Sequence, residues 1–213
     1  MRQVVYLASA GSPRAATARE SVDVVCAGDS LTGWNNFGPA DSWPFPTYPQ
    51  FLQGMCEPLE LALADVGIAG EVSGRGLWHV ERYLELFPNS RFFVIGFGTN
   101  DLGGAADHVA VSSRVIANLR SMVNAVRDAG KLPMLFNVPY VNEGMFPSTV
   151  AEALHEQRDY HNGRLAEYCA DNEVPLADIC SRLEGEHFGD EVHPNADGAK
   201  IIAECVFEVL RTL

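Results

Sequence analysis

The chain has 213 residues, 47% apolar and 20% charged, which fits one globular domain burying roughly 70% of its unfolded surface. Lys plus Arg number 15 against 28 Asp plus Glu, a net charge of −13 with no basic stripe, so nucleic acid is excluded as a partner. No apolar run reaches the roughly 18 residues of a membrane span, and Cys26, Cys56, Cys169, Cys180 and Cys205 are too scattered for a disulfide framework or a zinc site.

Residues 1–21 read as an N-terminal extension to a single domain over 22–213. The apolar core Val4–Ala8 is shorter than the roughly 7–15 residues of a signal peptide. A cytoplasmic protein is therefore expected, and the extension could add a strand or meet another subunit. Val22–Ala27 is a β-rich run ending at Gly28. A shorter run at Ala69–Val72 is read as the next strand, before Gly74. Phe92–Ile95 ends at Gly96, Leu132–Val138 ends at Pro139, and Val174–Ala177 is the last candidate. Between them, mostly apolar residues recur at helical spacing: Val115, Leu119, Met122, Val123 and Val126; then Leu154, His161, Leu165 and Tyr168; then Ile202, Val206, Val209 and Leu213. Strands alternating with helices predict βαβ units, and unbroken apolar runs predict strands buried on both faces. The fold class is α/β, with a mainly parallel sheet of about five strands between helical layers.

In such a sheet the site lies beyond the carboxyl ends of the strands. Polar-plus-glycine sequences occur there: Gly28-Asp29-Ser30, Ser73-Gly74 and Gly98-Thr99-Asn100-Asp101. Ser30 is a candidate nucleophile, but a serine needs a base. His193 in Asp190-Glu191-Val192-His193-Pro194 is the candidate. An acid three residues earlier can share its loop and reach Nδ1, leaving Nε2 for the serine. The Ser30 N–H, the Gly74 N–H and the Asn100 amide are candidate donors to an oxyanion. Thr32 stands where a G-x-S-x-G elbow would need glycine. Asp29 and Asp101 read as loop-ordering acceptors. The remaining histidines read as structural or solvated, with His187, in the same late loop, the nearest exception.

Taken together these stretches resemble the four blocks of the SGNH, or GDSL-type, esterase and acylhydrolase superfamily. Gly28-Asp29-Ser30-Leu31 is similar to the first block, Gly74 to the second, Gly98-Thr99-Asn100-Asp101 to the third and Asp190–His193 to the fourth. The resemblance runs from about Val22 to the C-terminus. It implies a flavodoxin-like three-layer α/β/α fold and no required cofactor. It also implies a serine ester hydrolase with Ser30, Asp190 and His193 as its triad and Ser30, Gly74 and Asn100 as its oxyanion hole.

Residues 34–51 hold six of the 20 aromatic residues: Trp34, Phe37, Trp43, Phe45, Tyr48 and Phe51. Pro39, Pro44, Pro46 and Pro49 argue against helix in the first half. Trp34 is the candidate substrate contact. The substrate is expected to be a small-molecule ester: acyl, aryl, lipid or acetylated sugar. The alternatives are a flavodoxin-like flavin or phosphate binder using the loop after the first strand, a non-catalytic carbohydrate-binding relative, and a metal hydrolase using Asp29, Asp101, Asp190 and His193. Oligomeric state is not legible.

Overall fold

The computed structural model describes residues 5–6, 21–34, 43–103 and 107–213. Its strands are β1 (Val5–Tyr6), β2 (Val24–Gly28), β3 (Leu63–Asp65), β4 (Phe92–Gly96), β5 (Leu132–Phe136) and β6 (Leu176–Ala177). Every pairing is parallel and the order is β1-β3-β2-β4-β5-β6. The expected sheet is present, and Val5–Tyr6 of the extension adds an edge strand against Ala64 and Asp65. The helices are α1 (Tyr48–Cys56), α2 (Ser73–Leu86), α3 (Thr99–Leu102), α4 (His108–Asp128), α5 (Ser148–Asp171) and α6 (Ala196–Leu210).

Side chains on β2 alternate between two apolar layers, as period-two geometry requires. Val25 and Ala27 join Val80 and Tyr83 of α2, Val115, Leu119 and Met122 of α4 and Leu165 of α5. Val24 and Cys26 join Tyr48 and Leu52 of α1 and Ile202 and Val206 of α6. Helices therefore cover both faces, giving the three-layer α/β/α fold. The expected helical stripe on α4 is buried in full, from Val115 to Val126. α1 begins at Tyr48 with Pro49 in its first turn, where proline lacks only an N–H that has no partner anyway.

The second strand differs from expectation. It lies at Leu63–Asp65, and Ala69–Val72 is part of the connection to α2. Gly70 there has φ +76°, a left-handed conformation that ends any strand, and the Glu71 N–H closes a turn onto the Ile68 carbonyl at 3.1 Å. Asp65 masks the true strand in sequence, because its buried carboxylate accepts the Gly67 N–H at 3.2 Å.

Parallel strands bring their carboxyl ends to one edge. β2 lies between β3 and β4, so the chain reverses its direction of travel across the sheet there. This is the switch point at which α/β sheets open a crevice. Gly28 is in register with Gly96, and a Cβ on Gly96 would stand 1.7 Å from the Phe136 ring. Only glycine lets that ring close over the end of β4.

Candidate active site

Ser30 follows β2 in a tight turn. The Thr32 and Gly33 N–H groups donate to the Asp29 carbonyl at 3.1 and 3.0 Å, and the Leu31 N–H donates to Asp29 Oδ1 at 3.0 Å. Asp29 thus orders the loop, as expected. Burial pushes its carboxyl up to about 7 against the opposing Leu31 N–H, and the Asp101 charge adds to the rise. The β3–α2 connection packs on the same turn, since a Cβ on Gly67 would meet the Gly33 nitrogen at 2.2 Å.

The turn delivers the Ser30 hydroxyl to His193. Ser30 Oγ lies 3.0 Å from His193 Nε2, although 163 positions separate them. On the other side of the ring, His193 Nδ1 is 2.8 Å from Asp190 Oδ2. Asp190 Oδ1 accepts the Val192 and His193 N–H groups at 2.9 and 2.7 Å. Burial opposes ionisation of Asp190, but these N–H donors and the imidazole outweigh it and hold the carboxyl below its ordinary value. An ionised Asp190 accepts from Nδ1–H and so selects the tautomer whose Nε2 accepts the Ser30 proton. Ser30 is 4% exposed.

The late loop is braced from both sides. The Gly189 N–H donates to the His193 carbonyl at 2.8 Å and the Asn195 N–H to the His187 carbonyl at 2.9 Å. Asn195 also caps α6, accepting from the Asp197 and Gly198 N–H groups. His187 belongs to this brace, its Nδ1 accepting the Glu184 N–H at 2.9 Å.

Asn100 sits in α3, and its Nδ2 donates to the Glu71 carbonyl at 2.8 Å. Its neighbour Asp101 accepts the Ser73 N–H and the Ser73 hydroxyl, both at 2.8 Å, and Asn118 Nδ2 donates to that hydroxyl at 2.9 Å. Asp101 is therefore a loop-ordering acceptor, and it ties the Asn100 segment to the start of α2. Gly74 is not at a strand end. It lies in the first turn of α2, where backbone N–H groups have no intrahelical carbonyl to meet. A Cβ there would meet nothing within 4 Å, so space alone does not require glycine.

The Trp34 ring stands edge-on to the His193 ring at 4.2 Å between centroids. The sequence points to Trp34 alone, yet Trp43 also reaches His193, at 5.2 Å, and packs on Trp34 and Phe45. A Cβ on Gly189 would meet Phe45 at 2.6 Å and Trp43 at 3.0 Å, so the rings lean directly on the late loop. Phe37 lies outside the described residues. A cleft of about 10 Å³ touches Ser30, Leu31, Trp43 and His193, room for about one water-sized group. A larger groove of about 520 Å³, lined by Tyr140, His155, Leu183 and Phe188 among others, includes none of Ser30, Asp190 and His193. Chemistry and the larger cavity therefore do not coincide.

The carboxylates of Asp29, Asp101 and Asp190 are each engaged by other groups of the chain: Asp29 serves Leu31, Asp101 serves Ser73, and Asp190 serves His193. Among the described residues no cluster of three or more His, Cys, Asp or Glu side chains could hold a metal, and no helix is long and apolar enough to cross a membrane.

The family model of GDSL-like lipases and acylhydrolases matches residues 26–201, which takes in all four blocks. No curated protein matches the sequence. Among solved structures, a GDSL-like lipase from Bacteroides thetaiotaomicron superposes with TM-score 0.68 at 20% identity, covering 92% of this chain and 91% of that one. A carbohydrate acetylesterase family member from Sinorhizobium meliloti gives 0.66 at 18%, covering 90% and 98%. The psychrotrophic esterase EstA from Pseudoalteromonas, in a structure inhibited by monoethylphosphonate, gives 0.64 at 17%, covering 89% and 97%. At these identities the superpositions speak to the fold, while the family model reaches across most of the sequence: the chain belongs to the GDSL-like lipase/acylhydrolase family within the SGNH hydrolases.

Proposed function

We propose that the protein hydrolyses small carboxylic esters through an acyl-enzyme on Ser30. The observation that carries this reading is the hydrogen-bonded row Ser30–His193–Asp190, at 3.0 and 2.8 Å. In the first half-reaction Ser30 Oγ attacks the ester carbonyl carbon and its proton passes to His193 Nε2. Negative charge develops on the carbonyl oxygen, and the Ser30 N–H, the Gly74 N–H and the free N–H of the Asn100 amide stabilise it. The tetrahedral centre collapses, His193 returns its proton to the departing alcohol, and Ser30 is left acylated. In the second half-reaction water attacks the acyl carbon, giving its proton to His193. Collapse releases the carboxylic acid and restores the Ser30 hydroxyl. Asp190 orients the imidazole throughout and stabilises it when protonated.

Trp34 forms a wall of the site beside His193 and meets the substrate. Aryl and sugar esters suit such a wall, since both present a flat face to an aromatic ring. The Sinorhizobium relative keeps acetylated sugars among the candidates. The test is a series of p-nitrophenyl esters from acetyl to octanoyl, run beside acetylated sugars, with the parent protein, Ser30→Ala and His193→Ala. Turnover by the parent and loss of at least about 10³-fold in both variants are expected. Turnover that survives Ser30→Ala overturns the proposal.

A further inference from the structure

Val66–Val72 forms a strap that joins β3 to α2 beside the candidate site. Its start is held by backbone ties: the Val66 and Ile68 N–H groups donate to the Cys26 and Gly28 carbonyls at 3.0 and 2.9 Å. The Tyr83 hydroxyl of α2 adds a bond to the Val66 carbonyl at 2.9 Å. At the end of the strap a buried side chain adds a further tie. Glu71 Oε1 accepts the Val72 N–H at 3.1 Å, and Oε2 meets His79 Nε2 at 2.7 Å. The Arg75 guanidinium approaches the same oxygen at 3.6 Å from the solvent side.

Glu71 and His79 are each 7% exposed, and the reaction proposed above uses neither side chain. Burying a carboxylate is costly unless its partners are fixed. Here they are fixed by α2, because His79 lies on its buried face and stacks on Tyr83. The backbone carbonyl of this same clamped residue accepts one N–H of the Asn100 amide at 2.8 Å. A planar carboxamide carries two N–H groups, so fixing one sets the direction of the other. Two residues further along the chain, the strap also delivers Ser73 to Asp101.

We infer that Glu71, clamped by His79, is a positioning residue that aims the second N–H of Asn100 at the developing oxyanion. The inference rests on the reading of Asn100 as an oxyanion donor. Neither side chain touches the reacting atoms. Their effect passes through the Glu71 carbonyl and the Asn100 amide, and misplacing a transition-state donor by about 1 Å costs about 10²-fold in rate.

The test is steady-state kinetics on p-nitrophenyl acetate. Glu71→Ala should lower kcat about 100-fold and leave KM within about twofold, because the contact matters in the transition state. Glu71→Gln, which still offers an acceptor to the Val72 N–H and a partner to His79, should restore most of the rate. In an Asn100→Ala background, Glu71→Ala should cause no further loss, because both changes remove the same donor. If Glu71→Ala does not fold, His79→Phe keeps the ring against Tyr83 and removes the clamp, with the same fall in kcat expected. A parent-like kcat in the folded variant, or an equal fold-loss on top of Asn100→Ala, overturns the positioning role. Ser30→Ala is run alongside: activity that survives it fails the esterase reading, whereas Ser30-dependent activity indifferent to Glu71 fails only this inference.

Discussion

Replacing Asp190 with Asn keeps the shape of the side chain and changes the sign of one hydrogen bond. In the parent, Oδ1 accepts two N–H groups, from Val192 and His193, and Oδ2 accepts His193 Nδ1–H. Asn has one oxygen. If that oxygen stays on the two backbone donors, its NH₂ faces Nδ1, which must then become an acceptor. The proton moves to Nε2, the atom that takes the Ser30 proton in the proposed mechanism, and that base is lost. If the amide flips to rescue the ring, its NH₂ faces two backbone N–H donors and leaves both unpaired. At about 1–3 kcal/mol for each unsatisfied donor, the flip costs about 2–6 kcal/mol, or about 30- to 3 × 10⁴-fold in population at 1.36 kcal/mol per decade. A comparable amidation in a Ser–His–Asp row lowers kcat about 10⁴-fold. The assay is kcat/KM on p-nitrophenyl acetate near about pH 8, with circular dichroism to confirm that the variant is folded. A fall of at least about 30-fold is expected. A folded Asp190→Asn within tenfold of the parent refutes the tautomer argument.

Asn100→Ala removes one of the proposed oxyanion donors and should lower kcat about 10²–10³-fold, about 2.7–4 kcal/mol of barrier, with little change in KM; a change confined to KM would contradict that role. Asp190 should stay ionised down to below about pH 4, because, against burial, its N–H donors and the imidazole hold its carboxyl under its ordinary value; a side-chain carboxyl NMR titration that protonates it above about pH 4 would contradict this. Asp29 supplies a stability prediction. Its folded-state carboxyl titrates at about 7 against 3.8 for the free group. The stability it contributes is therefore present below about pH 4 and lost as pH rises through about 7. Asp29→Asn keeps an acceptor for the Leu31 N–H and should gain on the parent over that window, by at most about 4 kcal/mol. Denaturation curves for the two proteins that stay parallel from about pH 4 to 8 would contradict it.

The parts of the site readable from sequence are those with local causes. Asp190 serves two backbone N–H groups within three residues of itself and the ring of His193 as well, so the whole proposed acid–base unit is written in four consecutive positions. Asp29 likewise orders its own turn through Leu31. The parts that escaped have distant causes. The β3 strand at Leu63–Asp65 carries an acid whose only local sign is the glycine two residues on, and its burial comes from strands on both sides. α5 is less regular in pattern than in structure, because it buries Arg158 and His161. Arg158 donates to the Pro139 carbonyl at 2.8 Å, and burial together with the Arg158 charge pushes the His161 imidazole down to about 4, holding it neutral. The Glu71–His79 pair spans a strap and two helical turns, a spacing no local motif describes. The approach of Trp43 to His193 depends on the late loop, 150 positions further along the chain.

Ester hydrolysis as proposed requires that Ser30 Oγ be the atom that becomes acylated. Incubating the folded protein with a p-nitrophenyl alkylphosphonate and measuring the intact mass, followed by peptide mapping, tests this directly. One phosphonyl group on Ser30, no label in Ser30→Ala, and loss of esterase activity in step with labelling are predicted. Esterase activity that persists in fully labelled protein, or a label carried by a different residue, would contradict it.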